Sequence, residues 1–112
     1  MDEILKAPEI MKKAQAELVE VIGEGKAIRE ADVVRLPYLQ CVIKETYRMH
    51  PLAPFLVPRE AGKDVEVCGY TIPKGSEVMS NVWAIGPDST LWEDPLVFNP
   101  DRFKDSKLDV RG

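Results

Sequence analysis

The sequence predicts an α+β fold, with helices first, then short antiparallel strands and an irregular tail. Three observations carry this. Apolar residues recur at helical spacing up to Met49, and the alternation of apolar and polar residues between Val65 and Val82 has the period of a strand. The third is punctuation: eight of the nine prolines follow Arg35, so the turn-rich part of the chain lies after the helical part. At 112 residues the chain is one domain at most, and a length like this also suits a part of one.

Taken in order, residues before Pro8 read as the stump of a helix. Pro8 suits a first helical position and opens the first long one, over about 8–22. Ile10, Met11, Ala14, Leu18, Val21 and Ile22 repeat along one side of it, with Lys12, Lys13, Gln15 and Glu20 mostly outward, and Gly23 and Gly25 stop it. A short helical turn follows from about Glu30 to Arg35. Pro37 opens the main helix, over about 37–49, which ends at His50-Pro51 because the residue before a proline avoids the helical region. A strand-rich region spans about 54–82. Phe55-Leu56-Val57 is a short apolar strand between Pro54 and Pro58; Val65 and Val67 turn at Gly69 into Tyr70-Thr71-Ile72. Pro73-Lys74-Gly75 is a tight turn with proline setting its first corner, and Val78, Ser80 and Val82 give a further strand. A loop region over 83–112, holding Trp92, Pro95 and Pro100, ends in a polar tail.

Composition excludes several classes. The chain is 45% hydrophobic and 30% charged, which disfavours disorder and a fibrous protein. A net charge of −4 and a pI near 5.0 argue against a nucleic-acid partner. No apolar run approaches the ~18 residues of a membrane span, and Met1-Asp2-Glu3-Ile4 lacks the pattern of a secretory signal. Cys41 and Cys68 are isolated, without zinc spacing or a framework of bridges, and read as free buried thiols, which fits a reducing compartment.

The most informative stretch is Glu45-Thr46-Tyr47-Arg48. A carboxylate and a guanidinium three residues apart share one side of a helix and can pair. At ~100° per residue, Glu45 falls between Cys41 and Tyr38 with Val42 and Met49 just beyond, inside an apolar arc, while only Gln40 and Lys44 form a clearly polar strip. A lone carboxylate there costs several kcal/mol or takes up a proton, so Glu45 needs a cation. Arg48 is the local candidate, and Arg102, in Asn99-Pro100-Asp101-Arg102-Phe103, can supply a second planar fork. The competing account is an incidental surface pair worth under ~1 kcal/mol.

No self-contained catalytic constellation is present. There is no phosphate-cradling glycine loop, and His50, the single histidine, stands at a helix end, where a cap or packing role is commonest. A serine triad has no nucleophile elbow, and a metal site made only of protein ligands is equally short of candidates.

The order of motifs says more. Glu45-x-x-Arg48, His50-Pro51, Pro58-Arg59 at a strand end, the hairpin from Val65 to Ile72, Pro73-Lys74-Gly75, and Pro100-Asp101-Arg102-Phe103 together resemble the cytochrome P-450 superfamily of haem-thiolate monooxygenases. Leu36-Pro37-Tyr38-Leu39-Gln40 and Asn81-Val82-Trp83-Ala84-Ile85 closely resemble phrases of its microsomal plant-type members. The resemblance runs over essentially the whole chain and implies part of that mainly helical fold. It implies that Glu45, Arg48 and Arg102 form a structural ion triad behind the cysteine-ligand loop. Asp101 stands where the family usually has glutamate. The resemblance puts Arg59 against a haem propionate, although a surface arginine at a strand end reads the same. It sets Leu52, Ala53, Pro54, Phe55, Leu56 and Val57 along the substrate cavity, although any buried strand could have that character.

The family's iron ligand is a cysteine in a glycine-rich loop, Phe-x-x-Gly-x-Arg-x-Cys-x-Gly. This chain runs to Val110-Arg111-Gly112, shortly before that loop would begin, and neither Cys41 nor Cys68 has the motif around it. What the resemblance therefore implies is a fragment of a haem-dependent monooxygenase that inserts one oxygen atom from dioxygen into a lipophilic small molecule, a plant secondary metabolite. Its electrons would come from a nicotinamide-dependent reductase. The full-length parent would sit on the cytosolic face of the endoplasmic reticulum, with no anchor or signal in this chain. The 112 residues alone are expected to be inactive and to need the rest of their domain. The alternative is a truncated, non-catalytic product acting as a binding or interaction module, and an unrelated small α+β domain is a third.

Overall fold

The structure, a computed structural model, describes residues 2–106. Two helices open it: α1, Asp2–Lys6, and α2, Pro8–Ile22. Gly23, at φ 96°, lies in the left-handed region that glycine enters freely, and its N–H donates to Val19 O to close α2. A 3-10 turn, Glu30–Arg35, leads to the third helix, α3, Pro37–Met49. Leu36, fully buried, joins them, its N–H donating to Val33 O and its carbonyl accepting from Gln40 N–H.

The start of α3 is capped from a distance. Pro37 has no N–H to satisfy, and Leu36 in the cap position has no side-chain acceptor. The next two donors, Tyr38 N–H and Leu39 N–H, go instead to the Glu17 carboxylate of α2, at 2.7 and 2.9 Å. Those are the groups a local Ser or Asp cap would serve, and the acid also opposes the positive end of the helix. Glu17 thus docks α2 on α3 by satisfying backbone rather than by burying apolar surface.

Four short strands follow: β1, Arg59–Glu60; β2, Val65–Val67; β3, Tyr70–Ile72; and β4, Glu77–Val78. They form two antiparallel pairs, β1 with β4 (Arg59 opposite Val78) and β2 with β3 (Val67 opposite Tyr70). The second register leaves a two-residue loop, Cys68-Gly69, both at positive φ, the hairpin geometry that matches strand twist. Asp64 accepts from Lys74 N–H at 2.7 Å, tying this hairpin to the turn after it.

Three details of the strand-rich region differ from the sequence reading. Phe55-Leu56-Val57 is a turn and not a strand: Leu56 has φ 48° and its N–H donates to Ala53 O. Flanking prolines remove donors at Pro54 and Pro58, so a ladder through this segment would lack the N–H groups at both ends. Past β4 the strand stops at Val78, and Val82–Ala84 is a 3-10 turn capped by Asn81, whose side chain accepts from Ala84 N–H. In the 73–76 turn, Ser76 N–H donates to Pro73 O, so the corners are Lys74 and Gly75 (φ 83°), with proline one place earlier than read. The expected loop region continues to a further 3-10 turn, Pro100–Phe103; the polar tail beyond Ser106 lies outside the described residues.

Packing centres on α3. Its main neighbour is the Pro100–Phe103 turn, with α2 and the Glu30–Arg35 turn on other sides. The buried apolar side chains among the described residues are Ala14, Leu36, Val42, Pro100 and Phe103, whereas Ile43 and Tyr47 on the opposite side of α3 stay exposed. A radius of gyration of 18.5 Å exceeds the roughly 13 Å of a compact domain of this length. Large exposed apolar surface of this kind marks faces that another part of a structure covers.

Removing the distant cap tests its share in stability. Glu17→Ala is expected to cost about 1 kcal/mol, the usual worth of an N-cap. Urea unfolding followed by circular dichroism measures it, with Glu20→Ala, on the exposed side of the same helix, as the control.

Candidate functional site

α3 carries Glu45 and Arg48 one helical turn apart on its buried side, and the Pro100–Phe103 turn delivers Arg102 to the same point. The structure brings Glu45, Arg48 and Arg102 together, with side chains 0%, 3% and 11% exposed. Arg48 binds the carboxylate in a fork, Nε to Oε2 at 2.7 Å and Nη2 to Oε1 at 2.9 Å. Arg102 Nε donates to Oε1 at 3.0 Å, and the backbone N–H of Asn99 donates to the same oxygen at 2.8 Å. Glu45 therefore receives four donors, which offset the cost of taking its carboxylate out of water.

The arginines spend their remaining donors on backbone carbonyls. Arg48 Nη1 donates to Gly86 O; Arg102 Nη1 donates to Glu93 O at 2.8 Å, and its Nη2 to Asp94 O and Val97 O at 3.3 and 3.2 Å. No buried side-chain polar atom among the described residues is left without a partner. Gly86 is required by close approach: a Cβ there would be driven into the carbonyl oxygen of Arg48. Asp101 points the other way and pairs with Lys13 of α2, whose ammonium also lies 4.1 Å from the Tyr38 ring centroid. The pairing raises the Lys13 pKa.

Chemically this cluster is a clasp. A guanidinium does not serve as a general acid or base at physiological pH, and no substrate-accessible nucleophile or base belongs to the group. It joins α3 to the 86–102 loop and fixes the loop's path. Sequence reasoning missed Gly86, Asn99, the three loop carbonyls and Trp92. Backbone groups carry no residue signal, although Asn99-Pro100-Asp101 does mark a turn start, and the Asn99 side chain accepts from Asp101 N–H at 3.1 Å.

The other site candidates lie apart from the clasp. Arg59, on β1, is exposed, and no hydrogen bond or ion pair of its side chain occurs among the described residues. Leu52, Ala53, Pro54, Phe55, Leu56 and Val57 form an exposed turn; Leu52 and Val57 are 85% and 80% exposed. A free cation of this kind fits a haem propionate, and an uncovered apolar turn fits a lipophilic contact. Neither cysteine fits an iron-binding thiolate. Cys41 is half-buried inside α3, and burial pushes its thiol pKa up, away from the thiolate; Cys68 is exposed and not buried as read, because it sits at the tip of the β2–β3 hairpin, with none of a ligand loop around it. Among the described residues no group of three or more His, Cys, Asp or Glu is placed to hold a metal ion, and no helix is long and apolar enough to cross a membrane.

Comparisons with known proteins agree on one family. A family model described as Cytochrome P450 matches residues 1–111. Geraniol 8-hydroxylases of Catharanthus roseus and Swertia mussotii are 60% and 61% identical over all 112 residues. A drimenol monooxygenase of Persicaria hydropiper is 55% identical over 94% of the chain. The chain spans 23% of the length of each geraniol 8-hydroxylase and 21% of the drimenol monooxygenase. A zebrafish cytochrome P450 structure with progesterone superposes on 92% of the chain, using 24% of its own, with a TM-score of 0.83 and 38% identity.

Two measurements test this geometry. Glu45→Gln leaves two guanidiniums short of a counter-charge and is expected to cost roughly 3–5 kcal/mol in urea unfolding; a cost under about 1 kcal/mol would put the clasp among ordinary surface pairs. Alkylation with iodoacetamide, followed by mass spectrometry, is expected to modify Cys68 first. Because the Cys41 pKa is raised, its thiolate fraction at neutral pH is depleted, and its reaction should gain speed at higher pH than an exposed thiol does.

Proposed function

The chain belongs to the cytochrome P450 family, and from that premise we propose that it is a segment of a longer haem-dependent monooxygenase of plant secondary metabolism. The whole protein inserts one oxygen atom from dioxygen into a lipophilic small molecule. The observation that carries this reading is the 60% identity with a geraniol 8-hydroxylase, sustained over every residue of the chain. The named activities of the relatives point to a terpenoid alcohol as the substrate class.

Each residue group then has a part. Glu45, Arg48 and Arg102 act as the structural ion triad that keeps the 86–102 loop against α3. Arg59 offers its unpaired guanidinium to a haem propionate, and the apolar turn from Leu52 to Val57 meets the substrate. Thiolate-ligated haem, when bound, supplies the activation of dioxygen and favours cleavage of its O–O bond. The ligand comes from a segment other than this one, since neither Cys41 nor Cys68 suits the role. Electrons come from a nicotinamide-dependent reductase at the cytosolic face of the endoplasmic reticulum, and the 112 residues alone do not catalyse.

The test uses the whole protein, expressed with such a reductase and incubated with geraniol under isotopically heavy dioxygen. One heavy oxygen atom in a hydroxylated product is the expected result; no labelled product from geraniol or from larger terpenoid alcohols overturns the substrate class. A haem titration of the 112-residue chain gives a second check through the reduced carbon-monoxide difference spectrum. A thiolate-type band that disappears in Cys41→Ser or Cys68→Ser would overturn the placing of the ligand outside this segment.

A further inference from the structure

The Glu45 clasp holds more positive charge than it cancels. Two guanidiniums meet one carboxylate in a place where all three side chains are at most 11% exposed, so one positive charge is left over. Water cannot absorb it, and an uncompensated charge in such a setting is costly. The carbonyls of Gly86, Glu93, Asp94 and Val97 meet it edge-on, in the planes of the guanidiniums. The faces of both guanidiniums need a different partner.

Trp92 is that partner. Its ring centroid lies 5.4 Å from Cζ of Arg48 and 5.9 Å from Cζ of Arg102, so a single indole serves both cations. The ring is itself held in place. Its Nε1–H donates to Ile85 O at 3.1 Å, its backbone N–H donates to Asp88 O at 3.0 Å, and it packs on Phe103 with centroids 5.7 Å apart and planes at 54°. Ile85 immediately precedes Gly86, whose carbonyl accepts from Arg48, so the ring and the carbonyl are set by one stretch of backbone.

We propose that Trp92 is a positioning residue of the clasp: the electron-rich face of its indole supplies the field that lets Arg48 and Arg102 share the single carboxylate of Glu45. The competing explanation is an apolar plug, for which size matters and electron density does not. Fluorination of the ring separates the two, since it withdraws density from the face while nearly preserving shape.

The experiment uses the whole haem-loaded protein carrying Trp83→Phe, with the Nε–H signals of Arg48 and Arg102 assigned and Trp92→Phe identifying the part of the response that belongs to Trp92; Trp83 is 57% exposed and takes no part in the clasp. Arginine Nε–H exchange, read by nuclear magnetic resonance, reports on the clasp directly, because the Nε groups of Arg48 and Arg102 both donate to Glu45. Two slowly exchanging Nε–H signals are expected with natural tryptophan. Replacing it by mono-, di- and tetrafluorotryptophan should speed both stepwise, on the order of tenfold across the series. Exchange rates that stay flat along the series overturn the proposal, and so does fast exchange of the Arg48 and Arg102 Nε–H groups in the unfluorinated protein.

Discussion

One buried carboxylate organises this chain. Glu45 is 0% exposed and takes four donors, two from α3's own Arg48 and two from residues 54 and 57 positions later, Asn99 and Arg102. Each end of that link supplies what the other lacks. Without the loop, Glu45 and Arg48 would be a helical pair exposed on one side; without Glu45, the guanidinium of Arg102 would face carbonyls alone. Once joined, the clasp fixes the carbonyls that the arginines touch, and with them the path of the backbone from Gly86 to Phe103. The Lys13–Asp101 pair then attaches α2 to the same turn, so the two neighbouring residues Asp101 and Arg102 hold two different helices.

The inventory of buried residues makes this dependence unusual. Ordinary domains bury an apolar core and leave charges outside. Here the largest fully buried side chains among the described residues are those of Leu36, Glu45 and Pro100, while valines, leucines and aromatics along α3's far side, the hairpin and the loops are open. A buried ion cluster is weak evidence of stability, because desolvation offsets much of its attraction. It is strong in another respect: its directional donors accept one arrangement of the loop and penalise others. The clasp therefore supplies geometry, and the apolar faces must find their burial against other surfaces. That division fits a segment spanning 23% of its relatives' length.

What could be read in the sequence follows the same line. The α+β class was legible because helical spacing and strand alternation occupy different parts of the chain, and it matches the fold of the P450 structures the chain superposes on. Glu45's need for cations was legible from its place in an apolar arc, a local property of α3. The Phe55–Val57 segment misled because short apolar runs look alike in strands and in turns; the deciding feature is the flanking pair Pro54 and Pro58, which have no N–H to offer a ladder. Glu17's capping of α3 was not legible at all, since it links residues 17 and 38 through side chain to backbone, and no local pattern marks such a cap.

The distribution of acceptors around the two arginines also accounts for the residue types in the loop. A carboxylate in place of one carbonyl would cancel the surplus charge, yet it would bring its own desolvation cost and a second anion against Glu45. Carbonyls and an indole face avoid both, because they offer partial charge without a titratable group. The arrangement needs glycine at 86 to bring its carbonyl against the end of α3, and a turn start at Asn99 to aim a backbone donor at Glu45. Loop composition here is thus set by the electrostatics of a helix that lies more than thirty residues earlier in the chain.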